Sequence, residues 1–151
     1  MDPMIGGFSI SLTVADGKAA LDLYRRALEA EELYRMALPE HMGGGIAHAE
    51  FKVGEQILYL SEAYPDWSAE AMDEDQVASC LFGVNVADCD AAFSKAVAEG
   101  MKTLSEPADQ PWGWRTAIVL DPFGYRWNIR QLIEEISPEE LERRFKAMME
   151  G

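Results

Sequence analysis

The chain has 151 residues, and its 27 Asp plus Glu against 13 Lys plus Arg leave a formal charge of −14. A field of that sign repels nucleic-acid phosphates and anionic membrane surfaces, so neither is expected as a partner, while cations gather around the molecule. The length suits one domain, whose core would bury roughly 68–70% of the surface of the unfolded chain without staples or metal. Cys80 and Cys89 are too few for a disulfide framework and are expected as free thiols. Residues 1–7 hold no basic or apolar leader, and no apolar run is long enough to span a bilayer. A soluble, cytoplasmic protein is expected.

In chain order, Phe8, Ile10, Leu12 and Val14 alternate with Ser9, Ser11 and Thr13, which predicts a strand. Asp16 then caps a helix whose Ala20, Leu21, Tyr24 and Leu28 recur at helical spacing. His41 and glycines 43–45 read as an exposed loop. Residues 31–37, 46–53 and 56–61 predict three more strands, the last two joined by a Gly54-Glu55 turn. His48 and Glu50 share one face of their strand with Lys52. They read as a solvated polar face on an edge strand, or as an acid/base or metal-ligating pair. A linker with Pro65, Trp67 and acidic Asp73-Glu74-Asp75 comes next.

The segment at 14–21 returns at 86–93, an offset of 72, with five of eight positions identical. Before the second copy Cys80, Phe82, Val84 and Val86 alternate as a strand. After it Ala92, Phe93, Ala96 and Val97 continue a helix capped by Asp88 and stopped at Gly100. Residues 102–105, 115–120 and 125–130 predict three further strands. Each half is therefore βαβββ. Ser137, Pro138 and Glu140 then open a last helix with a capping box, and its stripe of Leu141, Phe145 and Met148 is expected to pack on the body or on a second subunit.

Two such modules, with Asp121-Pro122-Phe123-Gly124-Tyr125-Arg126-Trp127 before the last strand, resemble the vicinal oxygen chelate superfamily of glyoxalase I, extradiol dioxygenases and bleomycin-resistance proteins. The Trp112-Gly113-Trp114-Arg115 loop and the Ser137-Pro138-Glu139-Glu140 helix start are similar to its PhnB-like branch. The resemblance covers residues 5–131. It implies an α+β fold in which one domain holds two tandem modules, about 5–62 and 79–131, joined by a linker at 63–78 and followed by a helix at about 137–149. The modules would form a cupped mixed sheet, with ligand and usually a divalent metal on its concave side. The family's metal-ligand positions fall at Ser9, Tyr59, Leu81 and Asn128. A hydroxyl, a phenol, an isobutyl group and an amide make a poor set for a divalent ion, so no metal and no other cofactor is expected.

The remaining site signal is aromatic: Tyr59, Trp67, Trp112 and Trp114 offer area and quadrupoles to flat or cationic molecules. Arg126 and Arg130 share parity with Asn128 and suit an acidic ligand group, or for Arg130 a salt bridge with the acidic surface. Trp127 has the opposite parity and is assigned to packing, and Asp121 to shaping its turn. Two histidines, both far in sequence from the cysteines, supply no nucleophilic triad. The expected function is metal-free binding of a small aromatic or cationic compound by a homodimer, through Ser9, Tyr59, Leu81, Trp112, Trp114, Arg126 and Asn128. Metal-dependent glyoxalase or dioxygenase activity is not expected. The alternatives are a glyoxalase-type lyase or isomerase using His48 and Glu50 with a non-standard metal or acid/base site, and a dimeric interaction module with no small ligand.

Overall fold

Asp16 and Asp88 each hold an extended backbone and accept from the N–H three residues on, Ala19 at 2.9 Å and Ala91 at 3.0 Å. These caps satisfy donors that a helix start leaves orphaned, and they begin α1 (Gly17–Leu28) and α2 (Cys89–Ala98). The computed structural model describes residues 6–151, so the expected module start at residue 5 lies outside the described residues.

The chain falls into two compact units divided between Val77 and Ala78. In the first, β1 (Ser11–Val14), β2 (Glu31–Ala37), β3 (Ile46–Val53) and β4 (Gln56–Glu62) form a sheet of order β1-β4-β3-β2, with β1 parallel to β4 and the other pairs antiparallel. In the second, β5 (Leu81–Asn85), β6 (Lys102–Asp109), β7 (Trp114–Leu120) and β8 (Arg126–Leu132) repeat that order as β5-β8-β7-β6. The repetition extends to single bonds. Gly17 N donates to Glu62 at 2.8 Å and Cys89 N donates to Gln131 at 2.9 Å, so the last strand of each unit clips its own helix start.

Each sheet buries one face under its helix. In the first unit Leu12, Val14, Phe51, Leu58 and Leu60 are buried with Leu21 and Tyr24 of α1, and the Tyr24 and Phe51 rings stack at 5.4 Å. In the second, Ala117, Val119, Trp127 and Ile129 are buried with Cys89 and Ala96 of α2. Burial pushes the Cys89 thiol above its ordinary pKa, and both cysteines are free thiols.

Several expectations need correction. The first ladder reaches back only to Ile10, whose carbonyl accepts from Tyr59 N, so Phe8 precedes β1 and is 87% exposed. Alternation permits a strand, but a partner must be present to make one. Cys80 is likewise exposed ahead of β5, and Val97 is exposed on α2. The strand bearing His48 and Glu50 is not an edge, because β3 lies between β2 and β4. The last helix, α3 (Pro138–Glu150), forms half of its capping box: Ser137 Oγ accepts from Glu140 N at 3.2 Å, while the Glu140 carboxylate turns to Arg143 and Arg144. Its Leu141, Phe145 and Met148 are exposed. Among the described residues no helix is long and apolar enough to cross a membrane.

Candidate functional site

Strand alternation sends the side chains that do not meet a helix to the opposite face of each sheet. In the first unit the register aligns Tyr34, Glu50 and Tyr59 in one row across β2, β3 and β4. His48 lies two residues from Glu50, and its Nε2 is 3.2 Å from Glu50 Oε1. Its ring meets Tyr59 edge-on at 5.2 Å and Tyr34 at 6.3 Å. A carboxylate beside an imidazole fixes its orientation, so the cluster can exchange a proton beside two aromatic walls. Tyr34 is hidden in the sequence because a register shift between Glu32 and Tyr34 breaks the period of two on β2. Ser9 is exposed ahead of β1.

In the second unit Arg126, Asn128 and Arg130 alternate along β8, opposite Leu120, Ile118 and Thr116 of β7. Among the described residues Arg130 makes no salt bridge, one of the two roles expected of it. Its guanidinium lies over the Trp114 ring, 4.2 Å from the centroid, and its stem passes Gly83 of β5, where even a Cβ would come within 3.2 Å of Cδ. Arg126 Nη2 donates to the carbonyls of Ser79 and Cys80 at 3.3 and 3.4 Å. Among the described residues Arg126 Nε and Asn128 Oδ1 are buried and find no hydrogen-bond partner. Leu81 pairs with Arg126 and is exposed, as is Trp112. Trp67, ahead of the second unit, meets Tyr64 at a tilt, with ring centroids 4.5 Å apart.

The motifs behind the resemblance hold this face in place. Asp121, 3% exposed, accepts from Phe123 N at 2.9 Å, Tyr125 N at 3.0 Å and Trp127 Nε1 at 2.9 Å. It therefore shapes its turn, as expected, and also anchors the buried Trp127. Arg115 faces α2. It holds Asp90 bidentately at 2.8 and 2.9 Å and Asp109 at 2.8 Å, bonds that raise the guanidinium pKa and hold the Asp90 carboxyl below its usual range. Gly113, at φ +87°, accepts from Ile133 N and Glu134 N at 3.0 Å, and a Cβ there would run into the Glu134 carbonyl.

A divalent ion, which the family resemblance implies, does not fit the donors present. Its expected positions carry the hydroxyl of Ser9, the phenol of Tyr59, the isobutyl of Leu81 and the amide of Asn128. Among the described residues no three His, Cys, Asp or Glu side chains gather to hold an ion. Stable sites use imidazoles, thiolates and carboxylates in that number.

Residues 8–129 match the family model of the Glyoxalase/Bleomycin resistance protein/Dioxygenase superfamily. An uncharacterized protein of Mycobacterium bovis is 28% identical over 143 residues, covering 93% of this chain and 92% of its own. TioX from Micromonospora sp. ML1 superposes with a TM-score of 0.63 at 23% identity, over 83% of this chain and 99% of its own. The fosfomycin resistance protein FosX from Listeria monocytogenes does so with a TM-score of 0.63 at 14% identity, over 90% and 97%. At such identities the likeness shows the fold, which hosts many chemistries.

Proposed function

Because the chain belongs to the Glyoxalase/Bleomycin resistance protein/Dioxygenase superfamily, we propose that it binds a small aromatic molecule without a metal, and that each unit by itself offers for this the sheet face turned away from its own helix. The observation that carries this reading is the lining of those faces. Tyr34, His48 and Tyr59 stand together on the first, and Trp114 with Arg130 on the second. Aromatic pairs add about 0.5–1.5 kcal/mol each beyond the area they cover, at little entropic cost. A donor set unsuited to a metal favours sequestration over the metal-assisted reactions that the fold can host.

Calorimetry and tryptophan quenching against a panel of flat aromatic compounds and glycopeptides test the proposal. Saturable binding with the ligand recovered unchanged is expected. No heat and no quenching across the panel overturns it.

The contact between His48 and Glu50 favours a second reading, acid/base catalysis of a lyase or isomerase type. Under that reading a bound compound is converted, and His48→Gln abolishes conversion while leaving binding in place. Recovery of unchanged ligand after prolonged incubation with excess protein disposes of it.

A further inference from the structure

The second-unit face carries a chemical preference of its own, which rests on the proposal that the protein binds a small molecule. Arg35, Arg115, Arg143 and Arg144 each hold a carboxylate at 2.8 Å or closer, as befits a chain with 27 acidic and 13 basic residues. Arg126 and Arg130 depart from that pattern. Among the described residues neither meets a carboxylate: one reaches backbone carbonyls through Nη2 and the other lies over Trp114. Between them Asn128 presents a buried Oδ1 with no partner among the described residues, and Arg126 Nε is buried in the same condition. A buried donor left unpaired carries a desolvation cost, which an incoming oxyanion recovers. A half-turn of the Asn128 amide sets Nδ2, a further donor, where Oδ1 stood.

From these observations we infer that the ligand is an aromatic acid. Its carboxylate or phosphate is held by Arg126, Asn128 and Arg130, and its ring lies beside the Trp114–Arg130 stack. The overall charge of −14 does not forbid this. Exposed charges beyond about 8 Å are largely screened at physiological ionic strength, whereas guanidiniums in contact with an oxyanion are not. Charge-assisted bonds from a guanidinium are roughly twice as strong as neutral ones, so the local donors decide.

The test is calorimetry with four probes that share one ring system: 2-naphthoate, 2-naphthyl phosphate, 2-naphthamide and 2-naphthylmethylammonium. At least one acid is expected to bind tenfold or more tightly than the amide and to weaken between 50 and 300 mM NaCl. Comparing the two acids distinguishes carboxylate from phosphate as the group preferred. Arg126→Gln and Arg130→Gln should each lower the acid's affinity tenfold or more, and by a larger factor than they lower that of the amide. Equal affinity for acids and amide, or preference for the ammonium, overturns the inference and leaves the binding proposal standing. Failure of all four probes to bind overturns this inference, and the broader panel of aromatic compounds and glycopeptides then judges the binding proposal separately. The ranking of probes by the unaltered protein depends on no variant folding.

Discussion

Asp121 shows how much one side chain can organise: a single carboxylate, almost fully buried, closes the turn and receives the Trp127 indole. Asp121→Ala strands these donors in a dry environment and should cost about 2–4 kcal/mol, read from the urea midpoint. An unchanged midpoint would mean that water replaces the carboxylate freely. Glu62 offers a milder contrast. Gln131 performs the same clip on Cys89 that Glu62 performs on Gly17, so Glu62→Gln should cost less than about 1 kcal/mol and Glu62→Ala about 1–3 kcal/mol in the same assay. The turn role of Asp121 was legible in the sequence because Pro122 and Gly124 announce it locally. Its bond to Trp127 was not, since that contact requires the strand to return. The stacking of Arg130 on Trp114 was hidden for a related reason: parity places a side chain on a face but does not select between a carboxylate and a ring as its neighbour.

At the scale of elements, α3 is secured by charge. Arg144 reaches Glu134 at 2.7 and 2.8 Å, Glu140 at 2.7 Å and the Pro111 carbonyl at 3.2 Å. Hydrogen bonds from Arg143 and Arg144 lower the Glu140 carboxyl from 4.5 to about 2, and Arg144 lowers Glu134 as well. A carboxylate whose folded pKa is depressed adds stability above its unfolded value and loses it as pH falls toward the folded one. The pairs within α3 should therefore weaken between pH 4.5 and about 2, and its tie to Glu134 should weaken as the pH falls below the ordinary carboxylate range, with its amides exchanging ahead of those of α2. Arg144→Gln should reproduce that loss at neutral pH. Equal protection of the two helices throughout the acid range would contradict a charge-held α3. The capping signature was legible at Ser137, but Glu140 prefers two guanidiniums to a backbone N–H because the charge-assisted bonds are the stronger. The face shared by His48 and Glu50 was legible too. Their place on an internal strand was not, because strand order depends on pairing between distant segments.

For the whole molecule, the internal repeat was the most legible feature, and the two sheets repeat one strand order and one clip geometry. The homodimer expected from the family resemblance remains a proposal. It predicts twice the 16.8 kDa chain mass in sedimentation equilibrium, and a single-chain mass at all concentrations would overturn it.

The helix starts also carry the record of how far the halves have drifted. At Gly17 an added carbon would sit 3.0 Å from Ile46 Cβ and 3.2 Å from Leu60, whereas Cys89 fits a buried thiol whose Sγ lies 3.5 Å from the Ile129 carbonyl. The cores have thus been cut to different templates. Transplanting the second helix into the first half would jam sulfur against isoleucine, and the reciprocal graft would leave a void, so the duplicated halves are no longer interchangeable parts.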